Sequence, residues 1–77
     1  MHVHIQLFGG LRDYLPPAQR GKTTLSVSEG ATVHDVLAQL GIRTPVIVNI
    51  NETHEVEPSY PVREGDKLLV VGHSSGG

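Results

Sequence analysis

The sequence predicts a two-layer α+β domain, in which one short helix covers one face of a mixed sheet of four to five strands. Two observations predict this fold class. Several short segments alternate apolar and polar residues, which is typical of strands with one buried face. One segment instead has apolar residues at helical spacing, and so short a helix is stable only when it packs on a sheet. A chain of 77 residues has room for one such domain.

The composition excludes several classes of function. The sequence has no cysteine, which excludes disulfides, thiolate metal sites and thiol nucleophiles. The net charge is −2 and the six Lys and Arg residues are scattered, whereas a nucleic-acid binder carries a basic stripe. No apolar run approaches the length of a membrane span, and the polar start MHVHIQ does not resemble a signal peptide. We therefore expect a soluble, cytoplasmic domain, whose small core favours a binding or carrier role over a self-contained enzyme.

The first two strands are predicted from strict alternation of residue type. In the segment HVHIQLF, the apolar side chains of Val3, Ile5 and Leu7 share one face. In TTLSVS the buried face holds Leu25 and Val27, and we expect this strand to pair with the first across a long loop. Within that loop, the leucine spacing in LRDYLPP allows one helical turn, which the two prolines then end.

The segment EGATVHDVLAQLG is the predicted helix. Thr32 is a favourable N-cap, and Asp35 three residues later completes a capping-box pair at the positive end of the helix dipole. Gly41 is a typical residue to end the helix. Apolar residues recur at helical spacing and form one stripe that would face the sheet, namely Val33, Val36, Leu37 and Leu40.

The remaining strands follow the helix. The segment PVIVNIN predicts a third strand and an Asn-Glu turn after it. The segment 53–65 contains two prolines and is predicted to be irregular, with a short edge strand around Val56 or Val62. A Gly-Asp turn then leads into GDKLLVVG, the last strand, which runs through Val71. One face of the third strand is expected to hold Val46, Val48 and Ile50.

The last strand differs from the first because both of its rows are apolar. Leu68 and Val70 form one row, and Leu69 and Val71 form the other. A sheet with a single helix leaves one face open, so one row should form an exposed apolar patch together with Phe8. Such a patch marks a partner surface, and we assign it to Phe8, Leu68 and Val70. The alternative is that the long loop before the second strand covers this row.

The chain ends in GHSSGG directly after the last strand. We assign residues 1–71 to the domain and residues 72–77 to a flexible tail. Six extended residues reach about 20 Å, so this tail could enter a narrow channel of another protein. Gly76 allows close approach of the backbone, and Gly77 presents a carboxylate that no side chain shields. Three further tail residues are candidate partner contacts: His73, Ser74 and Ser75.

The side chains predict neither a metal site nor a catalytic constellation. His2 and His4 lie two apart on one strand face, a spacing that a metal could use, but solvated surface histidines are the simpler interpretation. Ser74 and Ser75 lie in the tail, where no base could be held in register with them. We therefore expect no bound cofactor and no bound metal.

Four segments carry a resemblance that covers nearly the whole chain. They are FGGLRDYL after the first strand, the helical EGATVHDVLAQLG, VIVNIN, and REGDKLLVV with Gly76-Gly77 at the end. Together and in this order they resemble the MoaD/ThiS family of ubiquitin-like sulfur carriers, most closely the small subunit of molybdopterin synthase. The resemblance implies a β-grasp fold and a carrier protein or synthase subunit without catalytic side chains of its own.

The resemblance also implies a chemistry for the tail. In the family, an adenylyltransferase similar to ubiquitin-activating enzymes consumes ATP and converts the terminal glycine carboxylate to an acyl-adenylate. A sulfur donor protein then displaces AMP, and the resulting thiocarboxylate delivers sulfur to an accepting synthase subunit. On this sequence, Gly77 would carry the acyl group, and Gly76 would supply the slim position before it.

The resemblance indicates the pathway less specifically than it indicates the chemistry. The long segment GGLRDYLPPAQRGK resembles the molybdopterin subunit, and so implies molybdenum or tungsten cofactor biosynthesis. That subunit typically has prolines before its Gly-Gly, whereas this chain reads VGHSSGG. Three alternatives therefore stay open. The protein could be a sulfur carrier for thiamine or another pathway, or a ubiquitin-like modifier that is joined to lysine amines after the same activation. It could also be an interaction domain whose tail is idle.

Overall fold

The computed structural model describes residues 1–52 and 54–72. Within these residues, five strands form one mixed sheet, and one α-helix packs against it. This confirms the predicted α+β fold. The elements are β1 (His2–Leu7), β2 (Lys22–Ser26), helix α1 (Val33–Leu40), β3 (Val46–Ile50), β4 (His54–Val56) and β5 (Lys67–Gly72).

The last strand lies at the centre of the sheet, whose strand order is β2-β1-β5-β3-β4. Strand β1 pairs antiparallel with β2, as predicted, with Val3 opposite Leu25. It pairs parallel with β5, where His4 lies opposite Lys67. Strand β3 pairs antiparallel with both β5 and β4. The centre of the sheet is therefore built by two strands that are far apart in sequence.

The hydrophobic core lies between α1 and one face of the sheet. The predicted row of β1 is buried, with Val3, Ile5 and Leu7 at most 2% exposed. The helix stripe is also confirmed, although Leu40 at its end is only partly buried. The other core residues come from the strands, the helix and the loops between them: Leu11, Val27, Ala31, Val33, Val36, Leu37, Ile42, Val48, Ile50, Val62, Leu68 and Val70.

Both ends of α1 follow the sequence prediction. The Thr32 hydroxyl accepts a hydrogen bond from the Asp35 N–H at 3.3 Å, and the Asp35 carboxylate accepts one from the Thr32 N–H at 2.9 Å. These two bonds form a capping box. The Thr32 backbone N–H, and secondarily its hydroxyl, lower the pKa of the Asp35 carboxyl below its ordinary value. At the other end Gly41 has φ of 82°, a left-handed conformation in which glycine avoids steric strain.

The loop after β1 contains more regular structure than predicted. A 3₁₀ helix spans Gly9–Tyr14 where one helical turn was expected, and a second spans Pro17–Gln19 where the sequence predicted irregular loop. Leu11 of the first is buried in the core. Gly21, just before β2, has φ of 78°, and a Cβ there would lie 2.7 Å from the Leu7 carbonyl oxygen. The chain therefore enters β2 through a position that only glycine fits.

The two predicted turns around β4 and β5 are present and joined to each other. Asn51 and Glu52 both have positive φ, at 50° and 62°. The Asn51 side chain donates a hydrogen bond to the Asp66 carboxylate at 3.2 Å and accepts one from the Lys67 N–H at 2.9 Å. The buried Asp66 carboxylate also accepts a hydrogen bond from the Arg63 N–H at 2.8 Å. The start of β5 is thereby fixed against the turn that follows β3.

Two boundaries in the second half of the chain refine the prediction. The edge strand β4 contains Val56, one of the two positions predicted for it. Val62 instead lies in a surface loop with its side chain buried, and its N–H bonds to the Ala31 carbonyl. Strand β5 includes Gly72, which pairs with Val46 although the sequence analysis assigned it to the tail. The other predicted tail residues, 73–77, lie outside the described residues. No described helix is long and apolar enough to cross a membrane.

Candidate functional site

The second face of the sheet, opposite the core, carries the candidate functional site. Strand pairing places the side chains of this face in rows that cross several strands. One row contains Lys22, Gln6, Leu69, Asn49 and Glu55. Strand β1 contributes polar side chains to this face, as its alternation predicts. Strand β5 and the start of β3 contribute apolar ones, which is unusual for a surface that faces water.

These apolar side chains form what we call the apolar patch: Phe8, Ile47, Leu69 and Val71. Ile47 lies directly opposite Val71 in the pairing of β3 with β5. Phe8 follows β1 and donates its N–H to the Val70 carbonyl at 3.1 Å, which places it alongside β5. None of the four belongs to the core or packs against it. Phe8 is 38% exposed, and the other three are half-buried.

The structure corrects the prediction for the last strand. Leu68 and Val70, assigned to the partner surface, are both 0% exposed. Leu68 lies opposite Ile5 and Ile50 of the neighbouring strands, so it belongs to the buried row. The exposed row is Leu69 and Val71, and of the predicted apolar contacts only Phe8 is on the surface.

A signal for the correct row was present in the sequence. Lys67 is the one charged residue of β5, and strand periodicity puts its side chain on the same face as Leu69 and Val71. A lysine at the start of a strand is almost never buried without a partner. The row that contains Lys67 is therefore the row that faces solvent.

The long loop does not provide the alternative cover for this row. Leu11 is part of the hydrophobic core, and Leu15 packs against it. The apolar side chains of the loop are thus used on the core face of the sheet. The apolar patch stays accessible at the end of β5.

The position of the apolar patch connects it with the chain end. Val71 and Gly72 are the last two residues of β5, so the chain leaves the sheet beside the patch. The predicted acyl carrier Gly77, its neighbour Gly76 and the predicted contacts His73, Ser74 and Ser75 lie outside the described residues. The apolar patch and the last described residue of the chain therefore lie at the same end of β5.

The histidines of β1 make local contacts on the same face. The backbone N–H of His2 donates to the Glu64 carboxylate at 2.8 Å, and the ring Nδ1 of His4 lies 3.1 Å from the Thr24 hydroxyl. Both histidine side chains are exposed. Among the residues with described positions, no three His, Cys, Asp or Glu side chains come together as metal ligands would.

Residues 5–77 match the sequence model of the ThiS family. The chain belongs to the ThiS family. The match begins within β1 and includes Gly76 and Gly77, so it covers the domain as well as the predicted tail. No curated protein sequence matches the chain.

Solved structures show that this ThiS-family chain shares its fold with a small archaeal modifier protein and with molybdopterin-converting-factor subunits. SAMP1 from Haloferax volcanii is 22% identical with a TM-score of 0.75, over 100% of both chains. A Pyrococcus furiosus protein described as molybdopterin converting factor, subunit 1, is 17% identical with a TM-score of 0.76, over 94% and 97% of the two chains. A chain in the Helicobacter pylori complex of molybdopterin-converting factor subunits 1 and 2 is 15% identical with a TM-score of 0.64, over 100% of each.

These similarities confirm the ubiquitin-like β-grasp fold. With the family match, they also confirm the resemblance to the MoaD/ThiS family that the sequence motifs carried. The candidate site of this ThiS-family chain is accordingly the apolar patch on the open face of the sheet, at the end of β5.

Proposed function

We propose that this protein is a sulfur carrier whose Gly77 carboxylate is adenylated by a partner enzyme and converted to a thiocarboxylate. The observation that carries the proposal is the family match, which runs through Gly77. The position of the apolar patch beside the end of β5 supports it, because an enzyme that binds the patch would receive the chain end as well. Molybdopterin synthesis is the pathway we favour, on the likeness to molybdopterin converting factor subunits.

The chemistry needs the carrier to supply a carboxylate and access to it. A carboxylate is a poor acyl donor because its negative charge repels nucleophiles and it has no adequate leaving group. Attack of a carboxylate oxygen on the α-phosphate of ATP releases pyrophosphate and leaves an acyl-adenylate. A sulfur nucleophile then attacks the carbonyl carbon and expels AMP, which leaves sulfur on the carbon of Gly77. The partner enzymes supply every catalytic group, so the absence of cysteine from the chain is no obstacle.

The apolar patch would serve as the docking surface for these partners. Half-buried side chains such as Leu69 and Val71 lose little conformational freedom on binding, because the sheet already holds their backbone. The H. pylori protein offers a precedent for assembly, since its subunit 1 is in complex with subunit 2. We propose that the activating adenylyltransferase and the sulfur-accepting synthase subunit bind this face in turn.

A ubiquitin-like protein modifier is the second candidate. The likeness to SAMP1, a small archaeal modifier protein, favours it. Activation at Gly77 would be the same, but the acyl group would pass to a lysine amine of a target protein. The two candidates therefore predict different products from one activated intermediate.

Intact mass spectrometry of the protein tests both candidates. We expect incubation with the adenylyltransferase from the same genome, Mg-ATP and a sulfide source to raise the mass by the replacement of one oxygen with sulfur. Deletion of Gly77 should abolish this change and leave the urea unfolding curve unchanged. Lysine-linked adducts in protein isolated from cells, without the sulfur-containing form, would favour the modifier. If neither the sulfur-containing form nor lysine-linked adducts are found, the protein is a binding domain whose tail is idle.

The docking role of the apolar patch is tested by replacing Leu69 with Ser. We expect at least about tenfold weaker binding to the adenylyltransferase, since a central apolar contact is typically worth 1–2 kcal/mol or more. Leu40→Ser is the matched control, because Leu40 is also half-buried but packs on the helix side of the core. Equal affinity losses in the two variants would contradict docking at the patch.

A further inference from the structure

The open face of the sheet has a second half with a different chemistry, which we call the lysine strip: His4, Gln6, Lys22, Thr24 and Lys67. Strand pairing places His4 between Thr24 and Lys67, and Gln6 between Lys22 and Leu69. These side chains line a shallow concavity of about 320 Å³ across β2, β1 and β5. No carboxylate is among the described residues that line it.

The lysine strip concentrates one kind of charge. Lys22 and Lys67 are the two lysines of the sequence, and both lie on this face although the formal net charge of the chain is −2. The Lys67 ammonium lies 3.9 Å from the Glu52 carboxylate, with both side chains largely exposed. An exposed ion pair of this length is weak and easily exchanged. Lys67 can therefore pair with a carboxylate of another molecule.

The strip is continuous with the apolar patch. Leu69 of the patch lies opposite Gln6, and it is two residues along β5 from Lys67. A stable interface covers about 800 Å² on each partner, which is more than the exposed parts of four apolar side chains provide. A partner seated on the apolar patch thus extends beyond it, over the lysine strip on one side or over Asn49 and Glu55 on the other. Where it covers the lysine strip, its surface must carry negative charge, or the two ammonium groups would lose water without compensation.

We propose that the lysine strip receives Asp or Glu side chains of the same protein partner that covers the apolar patch. The partner thereby contacts two chemically different parts of this face. One is the apolar patch beside the end of β5, and the other is the cationic lysine strip across β2, β1 and β5. A nucleic acid does not fit the strip, because the adjoining half is apolar and the chain has a net negative charge. The identity of the partner as the activating adenylyltransferase rests on the proposed function.

The test is the salt dependence of binding to the purified adenylyltransferase, measured for the wild-type protein and for Lys22→Glu/Lys67→Glu. We expect the double charge reversal to weaken binding at least about tenfold at low salt, mainly through slower association. Wild-type affinity should fall as salt is added, and the double variant should lose this dependence or reverse it, because salt screens the repulsion between its new carboxylates and the acidic partner. Arg43→Glu is the matched control, because Arg43 lines a different concavity beside α1. Urea unfolding curves verify that the variants fold.

The outcomes separate this inference from the proposed function. If the wild-type protein is adenylated but the double reversal binds as tightly as Arg43→Glu, the lysine strip is not part of the interface and only this inference fails. If the wild-type protein is neither bound nor adenylated, the proposed function fails, and the partner assigned to the strip fails with it. A selective loss of affinity and of salt dependence in the double variant supports the inference.

Discussion

The two rows of β5 are made of the same kinds of residue and have opposite surroundings. Leu68 and Val70 are completely buried beneath α1, whereas Leu69 and Val71 are half-buried on the open face. Consecutive residues of one strand thus contribute either to the buried core or to the apolar patch on the open face. The difference lies in the register with β1 and β3, which decides the face that each row occupies. Residue type alone is not informative about the role of an apolar side chain in a central strand.

The largest expected effect comes from shortening one leucine in each row. Leu68→Ala should lower the free energy of unfolding by about 2–5 kcal/mol, because it leaves a cavity in a fully packed core. Leu69→Ala should cost about 1 kcal/mol or less, since its side chain already contacts water. Urea titrations of both variants measure the difference. Similar losses in the two variants would show that the rows are not energetically distinct.

The helix cap provides a test of intermediate size. Thr32→Ala removes the hydroxyl that accepts the Asp35 N–H, and should destabilise the domain by about 1 kcal/mol. Because α1 covers only the buried row, affinity of the folded variant for the adenylyltransferase should not change. Thr44→Ala is a suitable control for stability, as Thr44 is an exposed residue of the loop between α1 and β3. A large loss of affinity in Thr32→Ala would mean that the two faces are coupled.

The smallest expected effect is a pH dependence from the same capping box. The backbone N–H of Thr32 lowers the pKa of Asp35 below 3.8, so the folded state favours the carboxylate. The stabilisation is therefore complete above the unfolded pKa and is lost as the pH falls through the folded pKa. Asp35→Asn should be less stable than wild type at neutral pH, with a difference that shrinks in acid. A difference independent of pH, measured by urea midpoints, would exclude this contribution.

Local sequence signals were sufficient for the helix and for the strands with one polar face. The capping pair of Thr32 and Asp35 and the glycine at position 41 each act within one turn of the chain, so their meaning does not depend on the rest of the fold. Alternation located the buried face of β1 for a similar reason. Its polar residues could occupy only the solvent side.

The features that are hardest to predict from the sequence depend on contacts between distant residues. The two apolar rows of β5 are alike in residue type; Lys67 is the one local signal that separates them, and the pairing with β1 and β3 settles which row is buried. Val62 has a strand-like composition around it, but its N–H bonds to Ala31 instead of to a neighbouring strand. Alternation with Val46 and Val48 puts Ile47 on the open face, but only the pairing of β3 with β5 shows that it lies opposite Val71 and extends the apolar patch.

The parallel pairing of β1 with β5 also governs when the domain can assemble during synthesis. His4 and Lys67 are opposite each other in the sheet, and β3 reaches β1 only through β5. When only the residues up to β4 have emerged from the ribosome, the strand pairs β1–β2 and β3–β4 still lack β5, the strand that joins them in the sheet. Residues 67–72 must therefore be available before the sheet can close, and completion of the sheet depends on a long-range encounter between β1 and β5.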